Sequence, residues 1–186
     1  MYFHEDNKSV TGSIDRFAGI VVKYMTERGL SMSAAESCTG GALSEAITSV
    51  AGASKMFLGG AVTYTEELKM KLLGVRKQTL DKYSVYSRET ALEMSRGVRG
   101  LTGADVGVGI TGIAGPDGGS PDKPVGTVYV AVSCDKGEIA ENLALYNEEF
   151  YEKLDRRSIR ELTVLRSLQL LYGLLTEKYD TERNDA

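Results

Sequence analysis

Between Val106 and Val132 two β-branched runs flank a loop that carries Gly112, Gly115, Pro116, Asp117, Gly118, Gly119, Pro121 and Pro124. So many glycines and prolines cannot pack as core, so the chain must place this loop at a surface between two strands. Glycine has no Cβ, so such a loop can hold left-handed backbone and bring its N–H groups close to a ligand. It is also expensive to order, and a plain connection rarely runs beyond about a dozen residues. The expectation is a substrate loop. Gly107, Gly109 and Gly112 match the spacing of a dinucleotide fingerprint, but that fingerprint must open a helix and here a proline-rich loop follows, so a Rossmann site is rejected.

Composition limits the chemistry. The chain has 186 residues, 42% hydrophobic and 26% charged, in the range of an ordinary globular domain. Its net charge of −4 and pI near 5.2, with no block of Lys or Arg, disfavour nucleic acid as a partner. No apolar run approaches spanning length, and MYFHEDNKSV is no signal peptide, so no membrane association and a cytoplasmic location are expected. The single histidine, His4, lies in a polar lead-in, and Cys38 and Cys134 are the only cysteines. That leaves no Ser-His-Asp or Cys-His arrangement, no metal site and no disulfide framework. A nucleophile here must take its base from Lys, Tyr, Asp or Glu.

The periodicities predict one domain over 1–186, with 1–11 and 180–186 as loose tails. A helix from Ile14 ends at Gly29; Met32–Glu36 reads as a buried strand; Ala42–Val50 reads as a second helix. Ser37 therefore falls at a strand-to-helix junction, where unpaired N–H groups favour an anion or a developing oxyanion. Met56–Tyr64 reads as a strand with a bulge or close approach at Gly59-Gly60. A short helix follows, capped by Thr65, carrying Lys69 and stopped by Gly74. Gln78–Tyr83 forms a turn of helix, and Ser87 caps a longer one whose apolar face is Ala91, Met94, Val98 and Leu101, ending at Gly103. Beyond the glycine loop, Asp135-Lys136-Gly137 turns into a strand over Ile139–Tyr146. Glu148–Glu152 makes an irregular bridge, and Arg156–Tyr179 is a long helix buried through Ile159, Leu162, Leu165, Leu168, Leu171 and Leu175. Helix–strand alternation followed by a hairpin predicts an α/β single domain, a mixed sheet covered by helices on both faces.

Three segments, AAESCTGG (34–41), VTYTEELK (62–69) and GITGIAGPDGG with KPVGTVYVA (109–131), resemble the signature blocks of the CinA C-terminal domain family. The likeness runs from about residue 14 to about residue 175. It implies a Ser-Lys amidohydrolase that deamidates nicotinamide mononucleotide, in a homo-oligomer and without cofactor. By the same resemblance Ser37 is the nucleophile, Lys69 its base and Tyr64 an aid to proton transfer, while Ser54 and Thr111 match hydroxyl positions tied to substrate. Arg156 falls where the family has a Gly-Asp-Arg triplet, here Leu154-Asp155-Arg156, and Arg160 one turn on is an alternative phosphate ligand. Thr39, Gly40, Gly41 and Gly112 complete the expected substrate contacts. An alternative function is a non-catalytic nucleotide- or phosphate-binding or protein-interaction module.

The residues by themselves leave choices open. A lysine can deprotonate serine once desolvation lowers its pKa toward neutrality. Ser37 could equally be a plain N-cap, Lys69 a surface partner of Glu66, and Tyr64 a core tyrosine. Cys38 rivals Ser37, since thiolates are favoured at helix N-termini. The turn at Thr39-Gly40-Gly41 could hold the oxyanion or the phosphate.

Overall fold

The structure, a computed structural model, describes residues 10–148 and 154–180. The strands β1 (Met32–Glu36), β2 (Phe57–Val62), β3 (Val106–Gly112), β4 (Val128–Cys134) and β5 (Gly137–Asn142) form one sheet in the order β2-β1-β3-β4-β5. β2, β1 and β3 are parallel; β4 and β5 follow as antiparallel hairpin strands. α1 (Val10–Arg28), α2 (Ala42–Thr48) and α6 (Arg156–Tyr179) pack on one another on one face. α3 (Glu66–Leu73), α4 (Lys77–Tyr83) and α5 (Arg88–Thr102) cover the other. The expected α/β domain, a mixed sheet between two helical layers, is what the chain forms.

Burial follows position in the sheet. Central β1 and β3 are buried at every residue, which small side chains permit when helices lie on both faces. Edge strand β2 alternates half-buried and exposed. The glycines that imitate a dinucleotide fingerprint have a packing role. A Cβ on Gly107 or Gly109 would collide with the backbone of α5, at Ser95 and Ala91 respectively. Helix α5 can therefore sit close on β3 only because those positions are glycine. Gly60 is likewise pressed against the carbonyl of Ala34, and the β1–β2 register slips at Leu58, as the glycine pair suggested.

Several boundaries differ from expectation. α1 begins at Val10, so residues 10 and 11 are helical, and Asp180 closes α6 and accepts from Arg28; residues 1–9 and 181–186, the rest of the expected tails, lie outside the described residues, as do 149–152 of the expected irregular bridge. β5 stops at Asn142 instead of Tyr146, because Ala144 turns left-handed (φ 45°) into a short 3-10 turn, Leu145–Asn147, that buries Leu145. Leu101, expected on the apolar face of α5, is 57% exposed in its last turn. Among the described residues no helix is long and apolar enough to cross a membrane.

The connections fix where a site can form. From β1 the chain passes through α2 to β2 on one side, then through α3, α4 and α5 to β3 on the other. The strand order thus reverses between β1 and β3, and a crevice opens outside their carboxyl ends, the usual place for a ligand in an open α/β sheet. Ser37 follows β1 there, Thr63 and Tyr64 follow β2, and the glycine loop follows β3.

Candidate active site

Helix α3 begins at Thr65, whose side chain accepts the Leu68 N–H, and ends at left-handed Gly74 (φ 67°). These caps orient the helix so that Lys69 points into the protein. Its side chain is 1% exposed. The Lys69 Nζ lies 3.0 Å from Ser37 Oγ and donates to the Thr63 carbonyl at 2.6 Å. Burial lowers the Lys69 pKa from 10.5 to about 8, with neighbouring Cys38 and Glu66 partly offsetting the effect. The amine therefore loses its proton far more readily than an exposed lysine and carries a free lone pair above about pH 8. A neutral amine that donates one N–H to Thr63 can accept the Ser37 hydroxyl proton with that lone pair.

The pair opens on a cleft of about 240 Å³ lined by Ser37, Cys38, Tyr64, Glu66, Lys69, Val85, Tyr86, Gly112 to Gly115, Asp117, Gly118 and Arg156. Ser37 and Cys38 both reach it, and the structure separates them. Lys69 pairs with the serine oxygen, whereas burial pushes the Cys38 thiol up to about 12, far from a reactive thiolate.

The expectation for the α2 N-terminus is overturned. Glu36, 1% exposed, turns its carboxylate back onto the helix start. It accepts the N–H groups of Gly41, Leu43 and Ser44 and the Ser44 hydroxyl at 2.7–3.1 Å. The chain supplies its own anion there, so neither phosphate nor oxyanion can use those amides. Gly40 donates to the Ser37 carbonyl and Ala42 to that of Thr39. Gly40 and Gly41 hold left-handed backbone (φ 61° and 99°) that makes this turn possible; they shape the site and do not line the cleft. Thr39 is fully buried behind it.

The two arginines also divide. Arg156 sits in the first turn of α6, which Asp155 caps by accepting the Ser158 N–H at 2.7 Å. Its guanidinium donates to the Gly115 carbonyl and to the Tyr64 hydroxyl, both at 2.7 Å, at the mouth of the cleft. The missing glycine of the triplet does not prevent this. Arg160 is corrected to a structural role: it clamps the Thr39 carbonyl at 2.7 and 3.2 Å, away from the cleft. Tyr64 is 58% exposed and its hydroxyl is bonded to Arg156, with no hydrogen bond to Ser37 or Lys69 among the described residues.

Two further expectations fail within the chain. Ser54 is exposed in the 3-10 turn before β2, while Ser37 follows β1. Parallel pairing of the two strands puts these positions at opposite ends of the sheet, roughly 15 Å apart by strand rise alone. Thr111 is buried in β3 and its hydroxyl donates to the Val85 carbonyl at 2.8 Å, so it braces the cleft wall without entering it. Sequence reasoning missed Glu36, the Thr63 carbonyl, Glu66, and the Val85–Tyr86 wall, while Asp117 lies in the loop expected to meet substrate. A signal for the first was present: a carboxylate ending an otherwise small, buried strand directly before a helix. Among the described residues no group of three or more His, Cys, Asp or Glu side chains could hold a metal ion.

An α/β domain with a buried lysine against a serine, at the switch point of its sheet, is the class these features define. Residues 14–175 match the model of the CinA C-terminal domain, and the chain belongs to that family. It is 47% identical over 152 residues to a chain of Thermoanaerobacter sp. (strain X514) that bears the competence-damage inducible name, covering 82% of this chain and 35% of that one. A CinA-like protein of Kosmotoga olearia is 51% identical over 113 residues, 61% of this chain and 27% of the relative. The chain thus spans about a third of the length of the curated relatives it matches. The competence/damage inducible protein CihA of Agrobacterium tumefaciens superposes with a TM-score of 0.81 at 36% identity, covering 94% of this chain and 99% of that one. A CinA superfamily protein of Escherichia coli gives 0.81 at 30%, covering 94% and 96%.

Proposed function

We propose that the protein hydrolyses the carboxamide of nicotinamide mononucleotide, releasing ammonia and nicotinate mononucleotide. The observation that carries this reading is the buried Lys69 amine 3.0 Å from the Ser37 hydroxyl, beside a cleft with a guanidinium at its mouth. Ser37 Oγ attacks the carboxamide carbon while Lys69 takes the hydroxyl proton. The amide of Cys38, a residue of the cleft lining, is not among those that Glu36 uses, and we assign it to the oxyanion. Lys69 then returns its proton to the departing nitrogen, which leaves as ammonia. The acyl ester is opened by water, with Lys69 again as base, to give the carboxylate and regenerate Ser37. Arg156 is assigned to the phosphate, and Tyr64, bonded to it, to positioning that guanidinium.

The test is release of ammonia from the mononucleotide by the purified protein. Ser37→Ala is expected to lower kcat at least ~10³-fold, and Cys38→Ala to retain activity. The reverse pattern transfers the nucleophile to the thiol. No ammonia from the unaltered protein sinks the reading.

A further inference from the structure

The corner between α4 and α5, residues 83–87, supplies the cleft wall through Val85 and Tyr86. Ser84 in this corner holds φ 74°, a left-handed conformation that its Cβ disfavours. The surroundings impose it from several directions. The Ser84 hydroxyl accepts the Tyr86 N–H at 3.1 Å and a bond from the Lys123 ammonium, while its carbonyl accepts the hydroxyls of Ser87 at 3.0 Å and Thr90 at 2.9 Å. Lys123, reaching across from the glycine loop, also donates to the carbonyls of Tyr83 and Tyr86 at 3.3 and 3.2 Å. Thr111 holds the Val85 carbonyl from β3. Strain that is over-determined in this way collects at functional sites.

The corner holds Tyr86 half-buried in the wall, where its ring meets no other ring or cation among the described residues. Tyr64 and Tyr86 are the aromatic residues of the lining, and Tyr64 is tied to Arg156 at the mouth. A ligand whose carboxamide reaches Ser37 while its phosphate reaches Arg156 must lay a planar ring along the remaining wall. In an N-ribosylated nicotinamide that ring is a cationic pyridinium, which the electron-rich face of a phenol attracts as well as stacks.

We propose that Tyr86 is the ring-binding residue of this cleft, stacking on the pyridinium of the substrate. The inference rests on the reading of the function given above. Tyr86→Ala and Tyr86→Leu should each raise KM for nicotinamide mononucleotide about ten-fold, with a smaller change in kcat, and Tyr86→Phe should restore the affinity. Ribose 5-phosphate, which has no ring, should inhibit the parent and all three variants equally. Unchanged KM in the alanine and leucine variants, or equal weakening of the ring-bearing and ringless ligands, overturns the proposal. Should the parent protein release no ammonia, the function falls alone and calorimetry decides the subsite. Binding of the mononucleotide at least about ten-fold tighter than ribose 5-phosphate, lost in Tyr86→Leu, supports it; binding of neither compound, or equal binding of both, rejects it.

Discussion

Two glycine-rich segments face each other across the cleft, and they are held by opposite means. The Ser37–Gly41 turn is fastened from within by one buried carboxylate, Glu36, which saturates the start of α2. The loop between β3 and β4 is fastened from outside by two long cations, Arg156 on the Gly115 carbonyl and Lys123 on the α4–α5 corner. A buried anion satisfied by short backbone bonds cannot be removed without leaving donors unpaired, whereas long cationic side chains, one exposed and one half-buried, cost side-chain entropy to hold in place. The nucleophile thus rides on the rigid wall and the ligand-facing loop on the yielding one.

The largest effect is expected where the two walls meet, at Lys69. Lys69→Met should lower kcat at least ~10³-fold, measured as ammonia release. It should also stabilise the fold, since methionine fills the same space without an amine to desolvate. The sign follows from the pKa. Below about 8 the folded chain carries a charged, buried amine at full cost; between about 8 and 10.5 it binds fewer protons than the unfolded chain, so parental stability rises with pH. The advantage of the methionine variant in thermal unfolding should accordingly be greatest below pH 8 and shrink toward 10.5. By the same titration the parental kcat/KM should rise as pH approaches about 8 and level off above it. A flat profile from pH 6 to 9 would remove Lys69 as the base.

Next in size, Glu36→Ala should cost on the order of 4 kcal/mol by denaturant unfolding, because several buried donors lose their acceptor at once. A loss below ~1 kcal/mol would mean that the rigid wall is not rigid for the reason given. Arg156→Met should leave the melting temperature nearly unchanged while raising KM for the mononucleotide about ten-fold, since it is held at an exposed mouth. Smallest, Lys123→Met should cost about 1 kcal/mol and speed amide exchange in residues 83–87. If Lys123→Met proved as damaging as Glu36→Ala, the contrast between the walls would collapse.

Local signals carried most of the fold. Thr65, Ser87 and Asp155 cap helices as their residue types favour, Gly74 and Gly103 end them, and the six named apolar residues of α6 are all buried. β5 was over-extended because Leu143, Leu145 and Tyr146 continue a strand-like composition; only the left-handed backbone at Ala144 ends it, and alanine gives no warning of that. In the site, the Ser37–Lys69 pairing was carried by family resemblance, since 32 residues separate the two and nothing local ties them. The sequence placed Thr39, Gly40, Gly41, Ser54, Thr111 and Arg160 in substrate contact by type or motif. For two of them the actual role depends on a long-range acceptor: the Val85 carbonyl for Thr111, and the Thr39 carbonyl for Arg160. Glu36 is easily passed over for the converse reason: a carboxylate in a strand ordinarily signals solvent, and only its place at the end of a buried strand directly before a helix points the other way.

The bond from Lys69 to the Thr63 carbonyl has an implication for engineering. The orienting member of the constellation is a peptide oxygen, so any amino acid at position 63 supplies it and no point substitution deletes it. Libraries that vary residue 63 can reshape the surroundings of the amine while its anchor stays in place. What would dislodge that anchor is a shift of the chain, as when a residue is inserted between β2 and α3.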